Sequence, residues 1–433
     1  MPSTPAGALY PGQWLDRYEL LCPVAQGGMA QVWVARMQTQ LGMQRLVAVK
    51  AILAEHAEDP RFHAMFLDEA RIISAVHHPN VAHILDLGEH AGVLYHVLEW
   101  VEGDSLAALR RKVHRKQHKL PLGIVLRVSA AICAGLHAAH EVREDNGELL
   151  GVVHRDVSPA NVLLGTSGQV KLIDFGVAKA MGRMAEETSA GTIKGRVAYM
   201  SPEQAMGGAL DRRADVWSMG ALLYQLLTGR VPYDADNQLA MLHLLSRGLP
   251  PTPLRDMPED VAEIVYTALS YNPMGRFHTA KEMQQTIEAV MTRHCAPVTA
   301  ADVAHFLESE MGERIARRRG TIARAIEAAE QRVQIASEYK VASSTASSMG
   351  ESALHTPTTG GHSAVQRVST PDVEPVAAEE PELPSIVADD LDLDRALKAM
   401  GARRRMKIIV IACIALLALL GYAGYMAWIR MTM

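Results

Sequence analysis

The first hundred residues and the rest of the chain differ in the spacing of their apolar positions. Between residues 18 and 100, apolar and polar residues alternate, with one helical interruption, and residues 94–97 have the pattern of a last strand. From Ala107 onward the apolar residues recur at helical spacing. One long helix has a buried-type face formed by Val125, Val128, Ile132, Leu136 and His140. The pattern predicts an α+β fold with a small strand-rich lobe at 18–100 and a larger helical lobe at 101–293.

Two more helical patterns follow the second lobe. Thr299 and Asp302 have the spacing of a capping box at a helix start. We therefore predict a helical extension over residues 299–340. The sequence leaves open whether it packs on the second lobe or on another copy of the chain. Its apolar residues are Val303, Phe306, Leu307, Met311 and Ile315, and then Ile322, Ile326, Ala329 and Val333.

The C-terminal part of the chain has a different composition. Residues 341–405 are rich in Ser, Thr, Pro, Ala and acidic residues and lack apolar periodicity, which predicts a disordered linker. Residues 408–429 are almost wholly apolar and long enough to cross about 30 Å of hydrocarbon. We expect a single transmembrane helix there, with a buried core helix as the alternative. The basic residues at 403–407 predict a cytoplasmic position for everything before the span, and thus a single-pass inner-membrane protein.

Net charge and cysteine spacing give information about the partners and the compartment of the protein. The formal net charge of -5 gives no general attraction to nucleic acid, so no nucleic-acid partner is expected. The four cysteines are far apart and lack metal-binding spacing, which is typical of a reducing compartment. A basic run at residues 110–119 is interpreted as a solvated helix end. The N-terminal segment, residues 1–17, has no pattern of a secretory signal.

Acidic and amide residues near the middle of the chain indicate the chemistry. His154, Arg155 and Asp156 are followed by Asn161, and then by Asp174 in the tripeptide Asp-Phe-Gly. A carboxylate, an amide and a second carboxylate at these separations are the groups needed to align a hydroxyl with a metal-bound triphosphate. Each short motif is weak alone, but their order and spacing indicate phosphoryl transfer.

Other motifs occur in a matching order on both sides of this region. A Gly-rich turn at 25–32 precedes a strand that ends in Lys50, and Glu69 lies on the following helical stretch. Glu203, Asp215 and Arg276 follow downstream. With these motifs, residues 18–293 resemble the bacterial eukaryotic-like (Hanks-type) serine/threonine protein kinases. The resemblance implies the two-lobed protein kinase fold.

The resemblance also implies a role for each position. Asp156 would orient a substrate hydroxyl and accept its proton, and Lys50, held by Glu69, would bind phosphate oxygens of ATP. Asn161 and Asp174 would hold Mg²⁺, with Mn²⁺ as an alternative, because hard cations prefer oxygen ligands. The implied nucleotide contacts are Ala25, Gln26, Gly27, Gly28, Met29, Ala30, Val32, Ala48, Lys50, Leu98, Glu99, Val101 and Leu163.

Two departures from the family pattern affect these expectations. Ala25 and Ala30 stand where glycines are usual, so the phosphate-covering turn has less conformational freedom. Ser158 stands where a lysine usually follows the catalytic aspartate, and Arg196 stands where a threonine is usual. We hypothesise that the two positions have exchanged roles and that Arg196 brings a positive charge to Asp156 and the γ-phosphate. The alternative is that Arg196 contacts acidic substrate or solvent.

Regulation and structural support are also implied by the resemblance. Arg155 beside the catalytic aspartate suggests control by phosphorylation, with Thr192 as the first candidate and Thr188 and Ser189 as competitors. Two copies tethered to one membrane would phosphorylate each other in trans, so a dimer is an expected partner state. Glu203 and Arg276 are predicted to form a buried ion pair, and Asp215 is predicted to support the catalytic loop.

The favoured function is an active, membrane-anchored serine/threonine protein kinase acting on protein substrates. One alternative is a pseudokinase, a membrane-tethered scaffold without turnover, suggested by the altered glycine turn and Ser158. Retention of Lys50, Glu69, Asp156, Asn161 and Asp174 argues against it. A tyrosine-directed kinase is the other alternative, because a missing catalytic-loop lysine also occurs there.

Overall fold

The computed structural model describes residues 9–26, 30–38, 44–52, 60–175, 197–235 and 237–351. Within these ranges some helical side chains are excluded, among them those of Asp68, Glu69 and residues 339–351. The predicted linker beyond residue 351 and the predicted span at 408–429 lie outside the described residues. They therefore stay predictions.

The first lobe is built on a six-stranded antiparallel sheet with the order β1-β2-β3-β4-β6-β5. One sheet face packs a small apolar core around Trp33, Val49 and Tyr95. The last strand is confirmed and is longer than predicted, ending at Glu99. The strands are β1 Trp14–Leu15, β2 Tyr18–Gln26, β3 Ala30–Gln38, β4 Gln44–Ile52, β5 Ile84–His90 and β6 Val93–Glu99, and helix α1 covers Pro60–Ser74.

Seven helices of the described residues form the second lobe. The predicted apolar face of the long helix, α3, is confirmed, since its five residues are all buried. Helix α3 packs against α8 and α5 in the large core of this lobe. The helices are α2 Leu106–Arg115, α3 Leu122–His140, α4 Pro202–Ala205, α5 Arg213–Thr228, α6 Gln238–Ser246, α7 Glu259–Ala268 and α8 Ala280–His294.

Helix α3 is also the one helix in the described part of the chain that is long and apolar enough to cross a membrane. Most of its surface is buried inside the second lobe. Its apolar character is explained by that burial, because a helix in the middle of a large core has apolar neighbours on most sides.

A small three-stranded sheet lies beside the connection between the lobes. It consists of β7 Gly103–Ser105, β8 Val162–Gly165 and β9 Val170–Leu172, in the order β7-β8-β9. A 3-10 turn at Pro159–Asn161 leads directly into β8. The catalytic-loop residues are therefore joined to a strand that pairs with the chain entering the second lobe.

The helical extension is one helix, α9, which covers Ala300–Glu351. The capping box is confirmed, because the Thr299 N–H donates to Asp302 Oδ2 at 2.7 Å and the Asp302 N–H donates to Thr299 Oγ1 at 3.3 Å. The predicted end near residue 340 is wrong, since the helix continues through residues assigned to the linker. No proline or glycine interrupts residues 321–349, so nothing forces the helix to stop.

The sequence left open whether the extension packs on the second lobe or on another copy of the chain, and the contacts of α9 show where it packs. Its first apolar group lies in the core of the second lobe, as one alternative predicted. Its second group packs on the first lobe, which neither alternative included: Ile322 and Ala329 lie against Leu21 and Val34. Val333 does not belong to this face, because its side chain is 56 % exposed.

Candidate active site

A buried carboxylate holds the catalytic loop, the segment that contains Arg155 and Asp156, in position. Asp215, in the first turn of α5, accepts the N–H of His154 at 2.7 Å and the N–H of Arg155 at 2.8 Å. Its third partner is His140 of α3, whose Nε2 lies 2.8 Å from Oδ2 and donates, since a carboxylate only accepts. Burial raises the pKa of Asp215, but these hydrogen bonds and the neighbouring histidines lower it by more. The predicted support from Asp215 is confirmed.

Two residues of the site have left-handed backbone conformations. Arg155 has a φ of 65° and Asp174 a φ of 55°. Such conformations are uncommon for residues with a side chain and persist where the surroundings enforce them. For Arg155, hydrogen bonds hold the peptide groups on both sides: its N–H donates to Asp215 Oδ1 at 2.8 Å, and its carbonyl accepts from Gln204 Nε2 at 2.8 Å. For Asp174, the next residue, Phe175, is buried and its ring lies 4.4 Å from that of His154.

Asp156 and Asn161 are brought together as the sequence predicted. The Asn161 amide nitrogen donates to the Asp156 backbone oxygen at 2.9 Å and to Asp156 Oδ2 at 3.0 Å. The Asn161 N–H donates to the carbonyl of Ser158 at 3.0 Å, which closes the 3-10 turn. The amide oxygen of Asn161 is therefore at the end of the side chain that faces away from Asp156.

Lys50 reaches the second carboxylate of the site. Its Nζ lies 2.7 Å from Asp174 Oδ1. Desolvation raises the pKa of Asp174, but the Lys50 ammonium, together with His154 and His96, lowers it by more, so the carboxylate stays ionised. The predicted partner of Lys50 was Glu69, whose side chain lies outside the described residues. That pair stays a prediction, and the contact with Asp174 is an addition to it.

The donor set at Asn161 and Asp174 fits a hard divalent cation. Asp174 offers an ionised carboxylate that is 42 % exposed, and Asn161 offers an amide oxygen. Among the described residues, no three His, Cys, Asp or Glu side chains cluster in a way that could hold a metal ion. A metal bound here would need oxygen ligands from elsewhere, which phosphate groups and water supply.

The predicted adenine contacts lie on one face of the first lobe and on β8. In the pairing of β3, β4 and β6, Val32 is opposite Lys50 and Ala48 is opposite Leu98. Because directly paired residues share a sheet face, these side chains point to the side opposite the Trp33 core. Leu163 in β8 is half-buried, and Val101 is buried beyond the end of β6.

The N–H and the carboxylate of Glu99 have partners within the protein. The Glu99 N–H donates to the carbonyl of His83 at 3.0 Å, so it is not available to a base. The Glu99 carboxylate accepts from Lys171 Nζ at 2.6 Å and from the His83 N–H at 2.9 Å. The Glu99 carbonyl oxygen is the group that could accept a hydrogen bond from adenine. The predicted backbone contact of Glu99 with the base stays a prediction.

The Gly-rich turn is described only at its edges. Ala25 and Gln26 end β2, Ala30 begins β3, and Gln26 pairs with Gln31, so the strands form the predicted hairpin. Gly27, Gly28 and Met29 lie outside the described residues. The same is true of residues 176–196, which contain Arg196 and the three candidate phosphorylation sites. Ser158 is buried, and its proposed exchange of roles with Arg196 stays a prediction.

One residue beside Lys50 was missed by the sequence reasoning. His96 pairs with Lys50 across β4 and β6, and its ring is stacked on Phe66 with centroids 3.5 Å apart. His96 Nε2 lies 3.0 Å from the Phe66 carbonyl oxygen. Phe66 belongs to α1, the helix that carries Glu69, so His96 connects that helix to the strand of Lys50. A histidine inside a strand gives no sequence signal for such a contact.

The predicted ion pair between Glu203 and Arg276 is present. Arg276 donates from Nη1 to Glu203 Oε1 at 2.7 Å and from Nη2 to Glu203 Oε2 at 2.9 Å. The Arg276 side chain is fully buried and lies over the Trp217 ring at 4.9 Å. Burial raises the pKa of Glu203, but Arg276, together with hydrogen bonds from a backbone N–H and from Ser201, lowers it by more. The pair braces the second lobe.

Comparison with known proteins agrees with this geometry. The family model described as "Protein kinase domain" matches residues 18–287. This chain belongs to the protein kinase family. The family assignment fits the two lobes, the loop held by Asp215 and the contact between Lys50 and Asp174.

Several individual proteins are similar to this kinase. "Tyrosine-protein kinase MasK" of Myxococcus xanthus is 39% identical over 316 residues, covering 72% of this chain and 49% of MasK. "Probable serine/threonine-protein kinase SCO3848" of Streptomyces coelicolor is 38% identical over 293 residues, covering 66% and 41%. The PknI kinase domain of Mycobacterium tuberculosis has a TM-score of 0.50 at 26% identity, covering 65% of this chain and 98% of that domain. The chain spans half or less of the length of these two curated relatives.

Proposed function

We propose that this chain is a bacterial serine/threonine protein kinase, which transfers the γ-phosphate of ATP to hydroxyl groups of proteins. The observation that carries the proposal is the pairing of Asp156 with Asn161, 3.0 Å apart, beside the contact between Lys50 and Asp174. The Asn161 carbonyl accepts the N–H of Ile173, directly before Asp174, at 3.0 Å, which joins the two pairs. These four side chains supply a proton acceptor, a cation ligand pair and a phosphate-binding ammonium. A scaffold without turnover has no chemical need for all of them together.

The roles of these residues follow from their chemistry. Asp156 orients the substrate hydroxyl and accepts its proton, and the Asn161 amide holds the Asp156 carboxylate in position. Lys50 binds phosphate oxygens, and Asn161 and Asp174 are the residues that would hold Mg²⁺ or Mn²⁺. A bound cation would neutralise charge on the phosphates. The contribution of the protein is alignment, which is worth several orders of magnitude in rate.

The class of hydroxyl group is the second part of the proposal. SCO3848 and the PknB proteins of Mycobacterium leprae and Mycobacterium tuberculosis are named as serine/threonine kinases, and MasK is named as a tyrosine kinase. Tyrosine is therefore the alternative acceptor, and Ser158, which replaces the usual lysine, is compatible with it. We favour serine and threonine because the motifs around Asp156 resemble that class.

Location and regulation belong to the same proposal. Residues 408–429 would anchor the kinase in the inner membrane, with the catalytic domain in the cytoplasm. Two copies in one membrane would phosphorylate each other on Thr192, Thr188 or Ser189. Arg155 supports this idea, because its Nε is buried without a hydrogen-bond partner among the described residues. A phosphate group would be a suitable partner for it.

The decisive experiment compares the full-length protein with Asp156→Asn in a radiolabelled ATP assay. We expect the substitution to lower phosphotransfer by about 10²- to 10⁴-fold, the usual contribution of a general base. Asp145→Asn is the control, since Asp145 is exposed on the surface of the same lobe and its loss should change nothing.

Acid hydrolysis of the labelled protein then identifies the acceptor. We expect phosphoserine and phosphothreonine. If the label is found only on phosphotyrosine, the protein is a tyrosine kinase, the alternative class. Phosphotransfer that persists in Asp156→Asn, or a parent that binds ATP without transferring label to any protein, would contradict the proposed function.

A further inference from the structure

Helix α9 contacts both lobes of the kinase domain and the segment that joins them. Val303 and Ile315 lie in the core of the second lobe, and Ile322 and Ala329 lie against β2 and β3 of the first lobe. Between these two groups, α9 contacts β7. The helix from residue 303 to residue 329 is about 40 Å long, at 1.5 Å per residue. One continuous element thus reaches from one lobe to the other.

The charged residues of α9 meet a buried carboxylate at the connection. Asp104 in β7 is 5 % exposed. Arg314 Nε donates to Asp104 Oδ2 at 2.6 Å, and Arg318 Nη2 donates to the same oxygen at 3.2 Å. Arg318 also donates from Nη1 to the carbonyl of Gly103 at 2.7 Å. A carboxylate at this depth is costly without charge partners, so the position of β7 depends on α9.

Strand β7 is in turn packed tightly against β8, which carries a predicted nucleotide contact. Ser105 is paired with Leu163, and Asp104 with Leu164. A Cβ atom at Gly103 would lie 1.9 Å from the Leu164 carbonyl oxygen, so the two strands have no space between them at this point. Leu163 is expected beneath the adenine and lies two residues after Asn161. Any displacement of β7 is therefore passed to the base of the nucleotide pocket.

A second contact connects α9 to the upper wall of the same pocket. Val34, which packs on α9, is opposite Ala48 in the sheet and two residues after Val32. Alternation along a strand puts Val34 on the same face as Val32. Farther along α9, Arg332 Nη2 lies 3.0 Å from Glu19 Oε1, and Glu19 is almost fully buried. The helix therefore covers the sheet face that continues from the adenine contacts.

We propose that α9 is a structural part of the nucleotide site, and that Arg314 and Arg318 are positioning residues that fix its adenine-binding walls through Asp104. The inference rests on the proposed function, because it assumes that this site binds ATP. The adenine is remote from the transferred phosphoryl group, so loss of these contacts weakens binding equally in the ground state and the transition state. The KM for ATP should change and kcat should not.

The experiment uses the full-length kinase with Arg314→Ala and Arg318→Ala combined. We expect the KM for ATP to rise about tenfold while kcat stays within about twofold of the parent. Arg319→Ala is the matched control, because Arg319 follows directly in the same helix and its ion pair with Glu102 is largely exposed. Exposed pairs contribute little, so this variant should behave as the parent does. Hydrogen exchange at residues 100–105 and 162–165 should be faster in the double variant only.

Two outcomes would overturn the inference. The first is a folded double variant with an unchanged KM for ATP, whether or not kcat falls. If the double variant does not fold, Asp104→Asn carries the test, since it removes the buried charge at nearly constant volume. The second outcome is an unchanged KM for ATP in that variant. A parent protein that binds no ATP and transfers no label would instead overturn the proposed function, so the two failures are distinguishable.

Discussion

A single buried side chain, Asp215, determines the conformation of the catalytic loop. Its carboxylate accepts two consecutive backbone N–H groups, those of His154 and Arg155, and the Nε2–H of His140. The chain then turns at Arg155, which has a φ of 65° and whose carbonyl accepts from Gln204 Nε2 at 2.8 Å. Asp156 follows directly, so the direction of its side chain depends on Asp215.

Replacing Asp215 by asparagine tests this dependence with almost no change in volume. Asparagine has one acceptor oxygen, and its amide hydrogens would face a backbone donor. We expect the free energy of unfolding to fall by about 3 kcal/mol, because a buried polar network loses its acceptor. We also expect kcat to fall about 100-fold through misplacement of Asp156. Urea denaturation and steady-state kinetics measure the two effects.

Asp211→Asn is the control for this prediction. Asp211 lies four residues before Asp215, and its side chain is 52 % exposed and paired with Arg213. Its substitution should change neither quantity by much, since exposed pairs contribute little. Equal effects of the two substitutions would contradict the role given to Asp215.

Some contacts of the site could be predicted from the sequence, and others could not. The spacing of Asp156, Asn161 and Asp174 was enough to predict that they share one site, because the family motif fixes it. It could not predict the partners of Glu99, which depend on the packing of Lys171 and His83 from distant parts of the chain. Side-chain partners that come from other elements have no local sequence signal.

At the scale of elements, α9 is the feature that differs most from the prediction. Its capping box agrees with the prediction, and so do its apolar positions except Val333. An amphipathic pattern gives the face that a helix buries but not the surface that covers it. The apolar residues of β2 and β3 had been explained by the alternation of a strand, so nothing indicated that they needed a partner beyond their own lobe. Asp104 in Gly-Asp-Ser likewise has the sequence of an exposed turn.

Two adjacent alanines provide a test of how α9 contacts the first lobe. Ala329 is completely buried against Leu21, Cys22 and Val34, and Ala328 is exposed one position earlier. We expect Ala329→Glu to lower the free energy of unfolding by about 2–3 kcal/mol, because it places a charge in an apolar contact. Ala328→Glu adds the same charge to the same helix and should change stability by less than about 0.5 kcal/mol. Thermal or urea denaturation of both variants measures the difference.

Similar losses in the two glutamate variants would mean that the helix itself, rather than its contact with the first lobe, responds to the added charge. A loss confined to Ala329→Glu would support the packing of α9 on the sheet. The comparison is independent of ATP, so it separates the position of the helix from its proposed effect on the nucleotide site.

At the scale of the whole molecule, a buried histidine in each lobe makes the free energy of unfolding depend on pH in the acid range. Burial, with a smaller contribution from the Lys50 ammonium, lowers the pKa of His96 to about 3. Burial also lowers the pKa of His154, against the opposing effect of Asp215. In the unfolded chain a histidine has a pKa near 6.5. Below that pH the unfolded state therefore binds more protons than the folded state.

This difference predicts the direction in which pH changes stability. The contribution of His96 is fully present above pH 6.5 and is lost progressively as the pH falls towards 3. Its loss amounts to about 1.4 kcal/mol for each pH unit below 6.5. His96→Gln should remove that slope and keep the hydrogen bond, because the glutamine amide nitrogen can take the place of Nε2 beside the Phe66 carbonyl oxygen. Urea denaturation between pH 7.5 and pH 5 measures the effect.

His118→Gln is the matched substitution at an exposed position of the second lobe, and it should leave the pH dependence as it is in the parent. The parent and His96→Gln should then have similar stability at pH 7.5 and diverge as the pH falls, with the variant losing less. Parallel curves for the two proteins would mean that the His96 ring binds its proton at the same pH in the folded and the unfolded state. That result would be incompatible with a neutral His96 stacked on Phe66 next to Lys50, and with the link that it forms between α1 and the strand of the catalytic lysine.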